Sequence, residues 1–98
     1  MNRDEAKLVA ERRLAELRSV PYAELCRCYS FEHGQTPTWE ETVAPSGVRY
    51  QLKLYAYWDG DPPNLRVLVN ADDGSTLGFM RPVSADFIVA PDGSFVGE

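Results

Sequence analysis

The hydrophobic pattern of the first twenty residues predicts an amphipathic helix. Its apolar side chains recur at helical spacing and would form one stripe, made of Ala6, Val9, Ala10, Leu14 and Leu17. Asn2 followed by Glu5 has the spacing of a capping box. We expect this helix to end near Arg18 or Ser19, because Pro21 disfavours helical geometry at the residue before it.

From residue 39 onward the pattern changes to the two-residue period of β-strands. Turn-forming residues separate four predicted strands, which are Trp39–Val43, Val48–Trp58, Leu65–Ala71 and Ser75–Met80. The short connections between them imply an antiparallel meander, since parallel neighbours need long crossovers. The predicted fold class is therefore α+β, with the N-terminal helix packed on one face of a four-stranded antiparallel meander sheet. A length of 98 residues predicts a single domain over residues 1–98.

Alternation assigns the side chains of these strands to two faces. The face expected against the helix carries Trp39, Val43, Tyr50, Leu52, Leu54, Trp58, Leu65, Val67, Val69, Leu77 and Phe79. The outer face is expected to carry Glu40, Thr42, Gln51, Lys53, Tyr55, Tyr57, Arg66, Leu68, Asn70 and Met80.

Two segments are harder to assign from their pattern. The segment Cys26–Thr38 permits a short strand around Leu25–Phe31, followed by a loop. The segment Ser84–Glu98 is too apolar to remain in water, since each large apolar side chain gains about 1.5–3 kcal/mol on burial. We expect it to turn at Pro91 and fold back, either over the outer face or along an edge of the sheet.

Charge and composition narrow the classes of partner. The formal net charge is −5, and the basic residues near the N-terminus interleave with acidic ones. Nucleic acid is therefore not an expected partner, because its phosphates need clustered Lys and Arg. No apolar run approaches the roughly 18 residues that span a bilayer, and no signal peptide is recognisable. We expect a cytoplasmic protein with no membrane partner, in which Cys26 and Cys28 are free thiols.

The candidate catalytic and metal chemistry is sparse. Cys26, Cys28 and His33 offer three soft ligands within eight residues, so a small metal- or thiol-dependent protein is the alternative function. The Cys-x-Cys spacing is unusual for zinc; Glu32, Glu40 or Glu41 could supply a fourth ligand, but the pattern requires none of them. His33 is the only histidine, and neither Gly-x-Ser-x-Gly nor a nucleotide-binding glycine pattern occurs. The sequence predicts no enzyme and no cofactor.

The outer sheet face is the strongest functional candidate. Tyr, Arg and Met are enriched at protein interfaces, and a single helix leaves this face open. The predicted binding surface consists of Lys53, Tyr55, Tyr57, Arg66, Leu68 and Met80. The leading hypothesis is a non-catalytic interaction module that binds an unknown protein partner or forms a homodimer. An ordinary solvated face, on which tyrosines are simply good strand formers, is the simpler interpretation.

The second half of the chain also resembles a known family. The residues that carry the resemblance are Tyr50-Gln51, Tyr57-Trp58-Asp59, Leu65-Arg66-Val67, Pro82 and Asp86–Glu98, with the ending Phe-Ile-x-x-Pro-Asp-Gly-Ser-Phe-Val-Gly-Glu. They resemble a family of small bacterial proteins of unknown function. The resemblance implies one domain and no catalytic residues. The predicted architecture is also similar to the PepSY and cystatin-like groups, which leaves an inhibitor-like domain as a further hypothesis.

Overall fold

The N-terminal helix forms as its pattern predicts. The computed structural model describes residues 1–98, except for the side chain of Leu77. Helix α1 is Arg3–Leu17, and the side chain of Asn2 accepts a hydrogen bond from the Glu5 backbone N–H at 3.0 Å. The predicted stripe faces the sheet, with its alanines and leucines buried and Val9 partly buried. In the part of the chain that the structure describes, no helix has the length and hydrophobicity of a transmembrane span.

The sheet is a four-stranded antiparallel meander, which confirms the predicted fold class. The strands are β1 (Thr38–Val43), β2 (Arg49–Trp58), β3 (Leu65–Asp72) and β4 (Val83–Val89), in the order β1-β2-β3-β4. Helix α1 lies on the inner face, mainly over β3 and β4. The core on this face is formed largely by Tyr50, Leu52, Leu54, Leu65, Val67, Val69, Val83, Phe87 and Val89.

The fourth strand is not the predicted segment Ser75–Met80, so this prediction was wrong. Residues Thr76–Met80 form the short helix α3. The Asp73 carboxylate accepts from the Ser75 backbone and hydroxyl at 3.1 and 2.6 Å, and the Ser75 hydroxyl accepts from the Gly78 N–H at 3.0 Å. Such side-chain bonds to the backbone favour a helical turn over a strand. The strand instead begins at Val83.

Three residues that were predicted for the inner face of the sheet are exposed elsewhere, and two that were predicted for the outer face point inward. Trp39 and Val43 lie on the outer face of β1 and are 54% and 57% exposed, while Phe79 in α3 is 72% exposed. Glu40, which was expected outside, points inward and receives two hydrogen bonds from Arg13, at 2.8 and 3.0 Å. Thr42 shares this inner side, since it alternates with Val43. Leu77, also predicted for the core, lies outside the described side chains.

The segment around Leu25–Phe31 belongs to a second helix and the turn after it rather than to a short strand. Helix α2 is Tyr22–Tyr29, with Pro21 as its N-terminal cap, and a 3-10 turn, Phe31–His33, follows. Leu25 is buried, and Ser30 forms a parallel bridge with Ala56. This segment therefore covers the end of β2 that extends beyond β1.

The C-terminal segment runs along the edge of β4. The Val96 N–H donates to the Ile88 carbonyl at 2.8 Å, and Phe95 bridges to Val89. The guanidinium of Arg18 lies over the rings of both Phe87 and Phe95, and it also pairs with the Glu98 carboxylate at 2.8 Å. Of the two predicted positions, the edge is therefore the observed one, and this segment leaves the outer face open.

Buried Tyr50 makes the stability of the fold depend on pH in the alkaline range. Burial raises the pKa of Tyr50 to about 12, and its hydrogen bond to the Glu5 carboxylate at 2.9 Å adds to this effect. Because the unfolded phenol ionises near pH 10, folding disfavours the phenolate, and stability is lost as the pH rises from 10 to 12. We expect the Tyr50→Phe variant to lose less stability than wild type over this range. The difference between the two losses should be up to about 2–3 kcal/mol, since each pKa unit is worth about 1.4 kcal/mol.

Urea unfolding of wild type and Tyr50→Phe at pH 8, 10 and 11.5 tests this expectation. The measurement at pH 8 isolates the cost of the substitution itself. Parallel pH profiles of the two proteins would contradict the assignment.

Candidate functional site

The outer face of the sheet brings together five of the six predicted site residues. Lys53, Tyr55 and Tyr57 project from β2, while Arg66 and Leu68 project from β3. Tyr55 lies directly opposite Leu68, and Tyr57 lies opposite Arg66. Met80 is not on this face as a strand residue, because it ends helix α3.

The two site residues on β3 already have partners within the protein. The Arg66 guanidinium donates to the Asp59 carboxylate at 2.8 and 3.2 Å and also contacts Asp86 on β4. Leu68 is nearly buried between its neighbours. Arg66 and Leu68 therefore fix the sheet surface and have little capacity left for a ligand.

The β2 side acquires an aromatic neighbour from outside the sheet. The Phe31 ring stacks on Tyr55 with a centroid distance of 5.4 Å and an interplanar angle of 9°. It also stacks on Tyr57 at 6.5 Å, and the two tyrosine rings are 6.2 Å apart. Aromatic pairs at these separations attract one another by about 0.5–1.5 kcal/mol beyond their burial. The three rings thus form one pre-organised cluster.

Lys53 links this cluster to a fourth ring on β1. Its ammonium lies 4.7 Å from the centroid of Tyr55 and 5.9 Å from that of Trp39, which is its direct neighbour across the two strands. Phe31, Trp39, Lys53, Tyr55 and Tyr57 together form what we name the aromatic row.

The charge of the aromatic row is uncompensated. Arg49, on the same face, pairs with Glu41 at 3.0 Å, whereas Lys53 forms no ion pair with any residue whose side chain the structure describes. A cation over an aromatic ring at an exposed site gains about 0.5–1 kcal/mol, which holds the ammonium in place without neutralising it. The row therefore offers apolar rings and one available positive charge.

Sequence reasoning missed two members of this row. Trp39 was assigned to the core because a large apolar side chain is usually buried. Phe31 was placed at the end of a possible strand, and no local signal indicates that its ring reaches the sheet. The helical spacing of Tyr22, Leu25, Cys26 and Tyr29 could have indicated α2, and thereby a turn that carries Phe31.

The residues of the predicted metal or thiol site do not converge. Cys26 and Cys28 lie two positions apart on α2, so their side chains point to nearly opposite sides of the helix. Burial raises the pKa of the Cys26 thiol, which disfavours its reactive thiolate form. His33 contacts Ser30 through Nδ1 at 2.9 Å, and its ring packs against Trp58 in a T-shaped arrangement with a centroid distance of 5.2 Å. No group of three or more His, Cys, Asp or Glu residues in the described part of the chain could hold a metal ion.

Ser30 and His33 are residue types that can form a nucleophile and its base, and they lie in contact. The Ser30 hydroxyl also lies 3.3 Å from the Glu32 carboxylate, but Ser30 is completely buried. Its oxygen is therefore out of reach of a substrate. The contact fixes the turn that carries Phe31.

Comparison with known proteins finds no matching family, no matching curated protein and no matching solved structure. The resemblance of the second half of the chain to a small bacterial family therefore stays a prediction.

Proposed function

We propose that this protein is a non-catalytic interaction module that binds a partner protein through the aromatic row. The observation that carries the proposal is the row itself, in which four rings and Lys53 lie side by side on an open sheet face. Aromatic side chains supply much of the binding energy at protein interfaces, because they bury a large area at low entropic cost. A row that is ordered before binding reduces this cost further.

The chemistry of the row defines the partner segment that would fit it. Apolar side chains would cover the rings of Phe31, Tyr55 and Tyr57, and a carboxylate would face the ammonium of Lys53. Opposite charges across an interface favour encounter and orientation more than affinity. We therefore propose a partner segment that combines apolar and acidic residues.

The double variant Tyr55→Glu, Tyr57→Glu tests this function. Each glutamate removes a ring and places a negative charge beside the position proposed for the partner's carboxylate. We expect partner affinity to fall at least tenfold, since loss of an interface hot spot costs about 2 kcal/mol or more. The partner captured by wild type from a lysate of the source organism would be identified, purified and titrated by calorimetry.

The matched control is Leu8→Glu, which places one charge on an exposed position of α1 away from the row. Leu8 is 65% exposed, so we expect the fold and the partner affinity to be unchanged. Equal affinity of wild type and the double variant would refute the proposed surface. Equal loss in the Leu8→Glu control would also refute it.

We also propose a cytoplasmic location. Both cysteines are free, with Cys26 buried and Cys28 partly buried, as expected for a protein in a reducing compartment.

A further inference from the structure

Strand β1 forms an edge of the sheet that no other strand covers. The sheet order places β2 on one side of β1 and no strand on the other. The Ala44 N–H donates to the Val48 carbonyl at 2.9 Å, in continuation of the register between β1 and β2. Backbone groups alternate in direction along an antiparallel strand. Those of Thr42 and Glu40 therefore also point toward β2, while those of Trp39, Glu41 and Val43 point to the open edge.

Such an edge is usually protected against pairing with another chain. Protective devices include Pro, Lys, a bulge, or a charge that points inward. β1 contains neither Pro nor Lys, and its register with β2 is continuous. Its one inward-pointing charge, Glu40, is paired with Arg13, and Glu41 on the outer face is paired with Arg49. The outward backbone N–H and C=O groups of β1 are thus unpaired, and no uncompensated charge on β1 repels an approaching strand.

We propose that β1 pairs with β1 of a second copy of this chain, so that two sheets join into one of eight strands. Antiparallel pairing with Glu41 opposite Glu41 of the second copy sets Trp39 opposite the second copy's Val43. This register gives every outward N–H and C=O of the three outward-facing residues a partner. It is symmetric, as a two-fold interface requires.

The side chains of this register are self-complementary on the outer face. Trp39 and Val43 are both more than half exposed in the single chain, and an aromatic residue opposite a β-branched one is a favourable cross-strand pair. The two Glu41 carboxylates would meet near the axis, where like charges repel. Each is held by its own Arg49, so the group of four has no net charge.

Charge complementarity on the inner face also favours a second copy. Glu40 would lie opposite Thr42 of the other chain, and Arg12 lines the same groove as Thr42. Arg12 takes part in no ion pair within the described structure. Each Arg12 would therefore lie near Glu40 of the second copy, whose carboxylate its own Arg13 already holds, so this contact contributes less than an unpaired carboxylate would.

This dimer goes beyond the proposed function, because it would bring two aromatic rows onto one continuous surface. A dimer with two adjacent rows could bind a bivalent partner with increased avidity.

The variant Glu41→Pro tests the inferred pairing. Proline removes the outward N–H of this residue, and an edge strand tolerates it because that N–H is not used within the sheet. In sedimentation velocity from micromolar to millimolar concentration, we expect wild type to shift from monomer to dimer. We expect Glu41→Pro to stay monomeric with an unchanged circular dichroism spectrum.

Two further variants complete the experiment. Glu41→Gln keeps the N–H but leaves the two Arg49 guanidinium groups near the axis without their carboxylates, so dimerisation should begin at a several-fold higher concentration. Val43→Lys, at an exposed position, should prevent dimerisation if Glu41→Pro fails to fold. In wild type, amide exchange of Trp39, Glu41 and Val43 should slow as concentration rises.

The inference is overturned if wild type remains monomeric at millimolar concentration, even if the edge then binds another polypeptide. A foldable Glu41→Pro or a Val43→Lys that dimerises like wild type would also overturn it. Failure of the proposed function can be told apart from failure of this inference. The Tyr55→Glu, Tyr57→Glu variant should lose partner binding but dimerise normally. If that variant is monomeric while Glu41→Pro still dimerises, the two copies meet through their faces and the edge pairing is wrong.

Discussion

Replacement of Phe87 by alanine is expected to lower the free energy of unfolding by about 3–5 kcal/mol, as for other large aromatic side chains removed from a core. Phe87 is almost completely buried on the inner face of β4, and its ring meets Phe95 edge to face at 5.3 Å. The same ring supports the guanidinium of Arg18. The substitution would therefore also loosen the C-terminal segment along the edge of β4. Since small domains are stable by about 5–15 kcal/mol, this is a large fraction of the total.

Phe79→Ala is the matched control, because it removes the same side chain from an exposed position of α3. We expect it to change the free energy of unfolding by no more than about 0.5 kcal/mol. Urea unfolding followed by circular dichroism measures both variants under the same conditions. Similar losses for Phe79 and Phe87 would show that α3 is part of the core and would contradict the assignment of β4.

Replacement of Leu25 by alanine is also expected to have a large effect, and should lower the free energy of unfolding by about 2–5 kcal/mol. Leu25 is buried where α2 packs on the inner face of the sheet, chiefly against β2. Helix α2 leads directly into the turn that places Phe31 over Tyr55 and Tyr57. The variant should therefore lose partner affinity as well as stability, although Leu25 is not on the outer face.

The control for Leu25→Ala is Leu8→Ala, which truncates the same residue type at an exposed helical position. We expect little change in its stability, because alanine is at least as good a helix former as leucine. Amide exchange would show where Leu25→Ala acts, with the largest increase in α2 and at Ala56. If the exchange of α2 is unchanged while β3 is destabilised, α2 does not pack as described.

The candidate site could be predicted only in part from the sequence. The alternation of β2 was sufficient to place Lys53, Tyr55 and Tyr57 on one face, because a strand paired on both sides has a fixed register. The same rule placed Arg66 correctly but could not reveal that Asp59 and Asp86 neutralise it. Those partners come from a loop and from another strand.

Trp39 and Glu40 show why an edge strand resists prediction. A pattern rule places tryptophan inside and glutamate outside, but α1 lies mainly over β3 and β4 and covers β1 only at its margin, through side chains such as that of Arg13. On that part of the inner face a glutamate keeps some contact with water and pairs with Arg13. Burial there is too incomplete to decide which side chain points inward.

The sequence by itself determined the elements whose signals are local, which are helix α1 with its Asn2 cap and the long strand β2. It also determined the antiparallel order of β1, β2 and β3, because the connections between these strands are short. Only the tertiary structure decided that Val83–Val89 is the fourth strand and that Phe31 joins the tyrosines. The physical reason is that these outcomes depend on contacts between residues far apart in sequence, whose free energies outweigh weak local preferences.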